Sequence, residues 1–148
     1  FIDRCKGFIK TPGISVLRDA EIATAAGDVH AMHDPTEGGL ATGLHELATA
    51  AGAGLEIWAD KIPVFPETRV LCDFFGLNPL GVIASGALLI AAAPSSSEKI
   101  IKSIRTEGID SVHIGLVKDI SEGLVMIQDS ERLPLPCFEQ DEVSKVFL

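Results

Sequence analysis

Apolar side chains recur every three or four positions over residues 39–51, the pattern of a helix with one buried face. Leu40, Leu44 and Leu47 share that face, and the glycine at Gly52 ends the segment. The pattern therefore predicts an amphipathic helix over residues 39–51.

Other segments of the chain alternate between helical and extended patterns. Ser95 and Glu98 form a capping-box signature that is expected to open one of the helices. The further predicted helices cover residues 14–26, 67–75, 96–107 and 139–147, and the predicted strands cover 29–33, 55–59, 87–92, 112–117 and 124–128. This alternation predicts an α+β fold, an α/β sandwich in which a mixed sheet is flanked by helices around one core.

The chain divides into a short leading segment and one domain. Residues 1–13 end in the breaker Thr11-Pro12-Gly13, so we interpret them as a linker or as the end of a missing N-terminal domain. Residues 14–148 have the length of a single domain with a real core. Because the first residue is Phe rather than Met, we expect a processed chain or an excised domain.

Composition and charge argue against two classes of binding partner, nucleic acids and membranes. The net charge of −9, with no cluster of Lys or Arg, argues against a nucleic-acid surface. The longest apolar run, around residues 87–93, is too short for a transmembrane span, so no membrane partner is expected. Three widely spaced cysteines form no CxxC pair, which favours a reducing, cytoplasmic location.

The most informative motif is the string at residues 30–40, which leads directly into the first-mentioned helix. Asp34, Pro35 and Thr36 are turn and cap residues, and Gly38 and Gly39 would let a ligand approach the backbone. A helix N-terminus aims N–H groups and positive dipole charge outward, which suits a phosphate. The motif predicts an anion site in a surface cleft, and plain helix capping stays open as the alternative.

Two further chemistries are possible around this motif. Asp34 is either a Mg²⁺ ligand bridged to a bound phosphate or a cap for the turn. Ser85, in the pair Ser85-Gly86 between two apolar segments, is either a ligand contact or part of a hairpin turn. The positions of His30, His33 and His45 do not converge, so no histidine metal site and no structural zinc are expected.

Two common catalytic motifs are missing from the sequence. The chain contains no GxxxxGK[ST] string, so it is not a P-loop protein, and no Gly-x-Ser-x-Gly elbow of a hydrolase. Its catalytic residues therefore stay unassigned.

The string from His33 to Leu40 resembles the C-terminal domain of the AIR synthase-related superfamily. Asp34-Pro35-Thr36 and Gly38-Gly39-Leu40 match the family's Asp-Pro-Thr-x-Gly-Gly-Leu motif. The similarity covers roughly residues 14–128 and continues through residues 62–64, 76–80 and 85–89. Within a group that includes aminoimidazole ribonucleotide synthetase, selenophosphate synthetase and thiamine-monophosphate kinase, the chain is most similar to the hydrogenase maturation factor.

The resemblance implies a role that composition does not reveal. Family members have an N-terminal domain that pairs with its twin and carries most ATP-binding residues, and a C-terminal domain that closes over the cleft. The resemblance thus implies ATP and Mg²⁺ as cofactors of a homodimeric full-length protein, with neither firmly bound by this domain alone. The implied partners are a nucleotide or small-molecule substrate and the N-terminal ATP-binding domain.

The chain departs from the hydrogenase factor at three places. Glu37 stands where that factor often has Arg, and Ser85 stands where it has Glu. Cys137 lies in a Pro-Leu-Pro-Cys string followed by eleven residues, whereas the factor ends in a Pro-Arg-x-Cys tail. We therefore expect a substrate- or phosphate-binding domain of an ATP-dependent enzyme that uses Asp34, Pro35, Thr36, Gly38, Gly39 and Ser85. The alternative is a non-catalytic module that keeps the fold and docks a protein partner.

Overall fold

The computed structural model describes residues 1–147, which form helices and strands in alternation. The helices are α1 (Ile2–Gly7), α2 (Leu17–Ala26), α3 (Gly39–Ala51), α4 (Pro66–Phe75) and α5 (Pro94–Thr106). The strands are β1 (Val29–His33), β2 (Gly54–Trp58), β3 (Leu89–Ala92), β4 (Gly115–Lys118), β5 (Leu124–Gln128) and β6 (Glu131–Pro134). Short 3₁₀ turns connect several of these elements, and the last of them covers Glu142–Phe147.

The strands form two sheets rather than one. β1 and β3 pair antiparallel, with Val29 opposite Ala92 and His33 opposite Leu89. The other four strands have the order β4-β2-β5-β6, in which β2 and β5 are parallel and the remaining pairs are antiparallel. The larger sheet is therefore mixed, as expected, and the fold is an α+β sandwich.

The helices and sheets stack in layers with apolar contacts between them. On one side, α2 and α5 cover the β1–β3 pair through a cluster that includes Ile22, Ala23, Ile100 and Ile104. On the other side, α3 packs between that pair and the larger sheet, in a cluster of Leu44, Ala48, Leu55, Ile57, Leu89, Met126 and Leu135. Burying these side chains away from water is the main source of stability. The layering places the start of α3 at the end of β1, at the edge of the core.

Two local predictions were wrong at element ends. Helix α5 begins at Pro94, and its N-cap is Ala93 with no side-chain cap, so the capping box at Ser95 is not formed. Proline at the first helical position has the φ angle of a helix already and lacks only an N–H that would have no intrahelical partner. The helix predicted over residues 139–147 is a 3₁₀ helix that begins only at Glu142, and strand β6, which ends at Pro134, was not predicted.

The leading segment has structure of its own. Residues 2–7 form α1, and Ile9–Gly13 make a wide helical turn that leads toward α2. The link between this segment and a further domain stays a prediction. Within residues 1–147, none of the helices combines the length and apolar character that crossing a membrane would need.

Candidate functional site

The candidate site is built on the turn between β1 and α3. Asp34 and Thr36 are exposed, while Pro35 between them is fully buried. Pro35 packs against Gly43 of α3, where even a single added Cβ would lie 2.7 Å from the proline ring. Pro35 therefore anchors the turn to the helix, and the side chains of Asp34 and Thr36 face solvent.

Gly38 and Gly39 give the turn its backbone shape. Gly38 is the N-cap of α3, and both glycines have positive φ angles, +74° and +67°. The Gly39 N–H donates to the carbonyl oxygen of Thr36 at 3.1 Å, which closes the turn. Glycine is required here because other residues are strained at such angles.

The expectation that both glycines line an open cleft was wrong, because both are buried. A Cβ on Gly39 would lie 2.5 Å from the carbonyl oxygen of Leu80 and 2.6 Å from that of Val82. Gly39 thus makes room for a neighbouring loop, and a substitution such as Gly39→Val cannot leave the fold largely intact. The exposed side of the turn consists of Asp34, Thr36 and Glu37.

The structure brings the Ser85 loop beside this turn. The Ala84 N–H donates to the Thr36 carbonyl oxygen at 3.2 Å, so the residue before Ser85 is bound directly to the motif. Ser85 itself is exposed. The next residue, Gly86, lies against Gly13, because a Cβ on Gly86 would be 3.1 Å from the Gly13 carbonyl oxygen. Three parts of the sequence, around residues 13, 36 and 85, thus lie next to one another.

One residue of the site that the sequence did not predict is Asp141, whose carboxylate lies at the N-terminus of α3. Its Oδ2 atom accepts a 2.9 Å hydrogen bond from the Gly38 N–H, across a sequence separation of 103 residues. Its Oδ1 atom accepts from the Val143 N–H at 2.9 Å, a local turn that holds the carboxylate in place. In the sequence, the two-residue spacing between Asp141 and Val143 is compatible with a local turn, but it does not identify Gly38 as a partner of Asp141.

The neighbouring Glu142 fixes the same C-terminal segment to the domain. Its Oε2 atom accepts from the Asn78 N–H at 2.9 Å, and its carboxylate pairs with Lys145. The Lys145 ammonium and the Asn78 N–H hold the pKa of Glu142 below its usual value, although burial of the side chain acts in the opposite direction. Gly81 packs directly beneath Glu142 and Phe138.

A small surface pocket adjoins the turn. It has a volume of ≈ 230 Å³ and is lined by Glu37, Ile83, Asp141, Val143, Ser144 and Phe147. Its wall is therefore part apolar and part acidic, and an anion entering it would meet the repulsion of two carboxylates.

The histidines have separate partners. His33 Nε2 lies 2.6 Å from Glu46 Oε2, and His45 Nε2 lies 3.0 Å from the carbonyl oxygen of Pro136. His30 Nε2 is 3.5 Å from Asp28 Oδ2. Residues 1–147 contain no group of three or more His, Cys, Asp or Glu side chains that could hold a metal ion. A metal near Asp34 would need its other ligands from phosphate, water or another domain.

This architecture defines a class of protein: an α+β domain with a glycine turn between a strand and the first turn of its central helix. The model of the AIR synthase related protein, C-terminal domain, matches residues 14–127, and the chain belongs to this family. The resemblance inferred from the motif is thereby confirmed.

The relatives belong to the hydrogenase-maturation branch. The chain is 33% identical over 100 residues to a putative hydrogenase expression/formation protein of Methanocaldococcus jannaschii, covering 66% of this chain and 30% of that protein. It is 33% identical over 111 residues to carbamoyl dehydratase HypE of Escherichia coli K12, covering 74% of this chain and 31% of the relative. The chain thus spans about a third of the length of the curated relatives it matches.

The solved structures show the same fold. The crystal structure of hydrogenase maturation protein HypE in complex with ATP superposes with a TM-score of 0.75 at 31% identity. The match covers 84% of this chain and 40% of that chain. The α+β fold with a mixed sheet and flanking helices is therefore the fold of this branch.

Proposed function

We propose that this chain is the substrate- or phosphate-binding domain of an ATP-dependent enzyme of the hydrogenase-maturation type. The observation that carries the proposal is the Gly38 N–H, which binds a carboxylate oxygen of Asp141 at 2.9 Å. The turn is thus already shaped to bind an anionic oxygen at the positive end of the α3 dipole. Two relatives, the carbamoyl dehydratase HypE of Escherichia coli K12 and a HypE in complex with ATP, suggest the class of reaction and the nucleotide.

The residues at the turn would act in different ways. The backbone around Gly38 would hold the phosphate or substrate carboxylate, while Thr36 and Ser85 offer exposed hydroxyl groups beside it. Asp34 is an exposed carboxylate of the kind that binds Mg²⁺, so it would hold the metal against a bound phosphate. Pro35 and Gly39 would only support the shape of the turn.

The other half of the ATP site would come from an N-terminal domain. The apolar side chains on α4 support such a neighbour, because Val70, Phe74 and Phe75 are exposed together with Leu71 and Phe65. Val70 and Phe74, like Leu71 and Phe75, are four positions apart and so share one side of α4, and an exposed apolar side of a helix is typical of a protein interface. We propose that the complete protein places an ATP-binding domain against this domain and that it forms a homodimer.

A test of the proposal replaces the two exposed hydroxyl groups in the complete protein. Thr36→Ala and Ser85→Ala are expected to weaken ATP or substrate binding, measured as the Kd of each. Thr106→Ala and Ser95→Ala, two exposed hydroxyl residues on α5, are matched controls that should leave both affinities unchanged. Equal affinities in all four variants would argue against a ligand at this turn.

The second candidate function is a non-catalytic module that keeps the fold and docks a protein partner. The acidic residues Glu37 and Asp141 beside the turn favour it, since they oppose the approach of a free anion. ATP turnover by the complete protein separates the two candidates: an enzyme hydrolyses ATP, whereas a docking module leaves it intact.

A further inference from the structure

The last part of the chain lies across the proposed anion-binding turn. We define residues 138–147 as the C-terminal strap. Phe138 and Glu142 cover Gly81, where a Cβ would lie within 2.8 Å of both side chains. Glu142 is bound to the Asn78 N–H, and Asp141 is bound to the Gly38 N–H, each at 2.9 Å. Three contacts on two different loops therefore hold the strap in place.

The contact of Asp141 has the chemistry of a bound ligand. A carboxylate oxygen at a helix N-terminus satisfies a backbone donor and the positive dipole charge, as a phosphate oxygen would. A single N–H group makes one well-aligned hydrogen bond, so Asp141 and a ligand oxygen cannot both bind Gly38 at full strength. The negative charge of Asp141 also repels an anion in the adjoining pocket, which Glu37 lines as well.

The strap is attached in a way that allows release. Two of its contacts, with the turn and with the Asn78 loop, are hydrogen bonds from backbone N–H groups to carboxylates, and the third is the packing of Phe138 and Glu142 on Gly81. Beyond Lys145 its side chains are exposed, and Phe147 is 82% exposed. The core cluster contains no residue of the strap, since its last member in the sequence is Leu135.

We infer that the C-terminal strap is an autoinhibitory element whose Asp141 carboxylate competes with an anionic ligand for the Gly38 N–H. This inference rests on the proposed function, because it assumes that the turn binds a phosphate or carboxylate. In the bound state the strap lifts from the turn, and the ligand oxygen takes the position of the Asp141 Oδ2 atom.

The experiment measures inorganic pyrophosphate binding to the 148-residue chain by amide chemical shifts, with the Gly38 amide as the reporter. Asp141→Ala removes the competing charge, and Asp110→Asn, at an exposed position after α5, is the matched control. Asp141→Ala is expected to bind pyrophosphate about tenfold more tightly than the wild type, as a lost charge-assisted contact predicts. The control should bind like the wild type.

A second variant shows whether local unfolding at the substituted residue, rather than the lost charge, changes the affinity. A chain that ends at Cys137 lacks the strap but keeps Leu135, and it should bind pyrophosphate at least as tightly as Asp141→Ala. If the Gly38 amide responds equally in the wild type and both variants, with equal affinity, the inference fails while the anion-binding turn stands. If the Gly38 amide does not respond in any chain, the anion-binding role of the turn is itself refuted, and the inference falls with it.

Discussion

At the scale of single residues, Gly39 shows that close packing, and not the backbone angle alone, can require glycine at a position. Gly39 and Gly76 have nearly the same φ angle, +67° and +66°, but only Gly76 has open space where a Cβ would stand. Gly76→Ala should therefore cost about 1–2 kcal/mol, the strain of a left-handed residue. Gly39→Ala adds overlap with two carbonyl oxygens and should cost about 3 kcal/mol or more.

Urea unfolding of the two alanine variants measures this difference. The midpoint for Gly39→Ala should fall well below that for Gly76→Ala, with similar slopes. Equal midpoints would mean that the Leu80–Val82 loop moves away at little cost, and that the turn is not tightly packed.

Glu142 gives a prediction about pH. Its folded pKa is lowered, chiefly by Lys145, so the ionised group contributes stability above the ordinary glutamate value of 4.5 and loses it as the pH falls through the lower folded pKa. Glu142→Gln should thus be less stable than the wild type at pH 7, and the difference should shrink toward pH 3. Glu139→Gln, at a nearby exposed position, should track the wild type at every pH. Thermal unfolding at a series of pH values measures this difference in stability. A difference in Tm between Glu142→Gln and the wild type that stays constant on acidification would contradict the ionic role.

At the scale of elements, α1 is attached to α4 by few contacts. Arg4 Nε lies 2.6 Å from Glu67 Oε1, and the rings of Phe8 and Phe65 stack with centroids 5.2 Å apart. The Glu67 side chain is only 8% exposed, and its Oε2 atom is buried with no hydrogen-bond partner in the described chain. The carboxylate therefore depends on Arg4 for its compensating charge.

Removing that charge should release α1. Arg4→Gln is expected to speed amide exchange across Ile2–Gly7 several-fold, with a loss of global stability of about 1 kcal/mol or less, because the arginine is largely exposed. Lys6→Gln, an exposed cation in the same helix, is the matched control. Unchanged exchange in Arg4→Gln would show that the aromatic stack alone anchors α1.

The elements also show what the sequence can and cannot predict. The bounds of α3 and β5 followed from local periodicity and glycine positions, since those signals lie inside the segment itself. The sheet order did not follow, because β2 lies between β4 and β5 through contacts distant in sequence. The same holds for the site: the turn was found from its own residues, whereas Asp141 reaches Gly38 from 103 positions away.

At the scale of the whole molecule, our proposal is that the domain forms one wall of a nucleotide site in the complete protein. It belongs to the AIR synthase-related family but spans about a third of its curated relatives. The family match and the ATP complex of a HypE structure make ATP chemistry the natural proposal for the complete protein. Within this chain, by contrast, the turn binds a carboxylate of its own C-terminal strap.

The final prediction is that the 148-residue chain alone should not hydrolyse ATP, because we propose ATP turnover for the complete protein only. The sequence has no P-loop lysine motif, and the described residues hold no group of three metal-ligating side chains to bring Mg²⁺ to the phosphates. Under the proposed function the turn would only bind the anion, and the groups that stabilise the charge on the transferred phosphoryl group are expected on the ATP-binding domain. Phosphate release from ATP by the purified chain should equal that of a heat-killed sample, while the complete protein shows turnover in the same assay. Turnover by the chain alone, lost in Thr36→Ala but kept in Thr106→Ala, would overturn the prediction and move the catalytic residues into this domain.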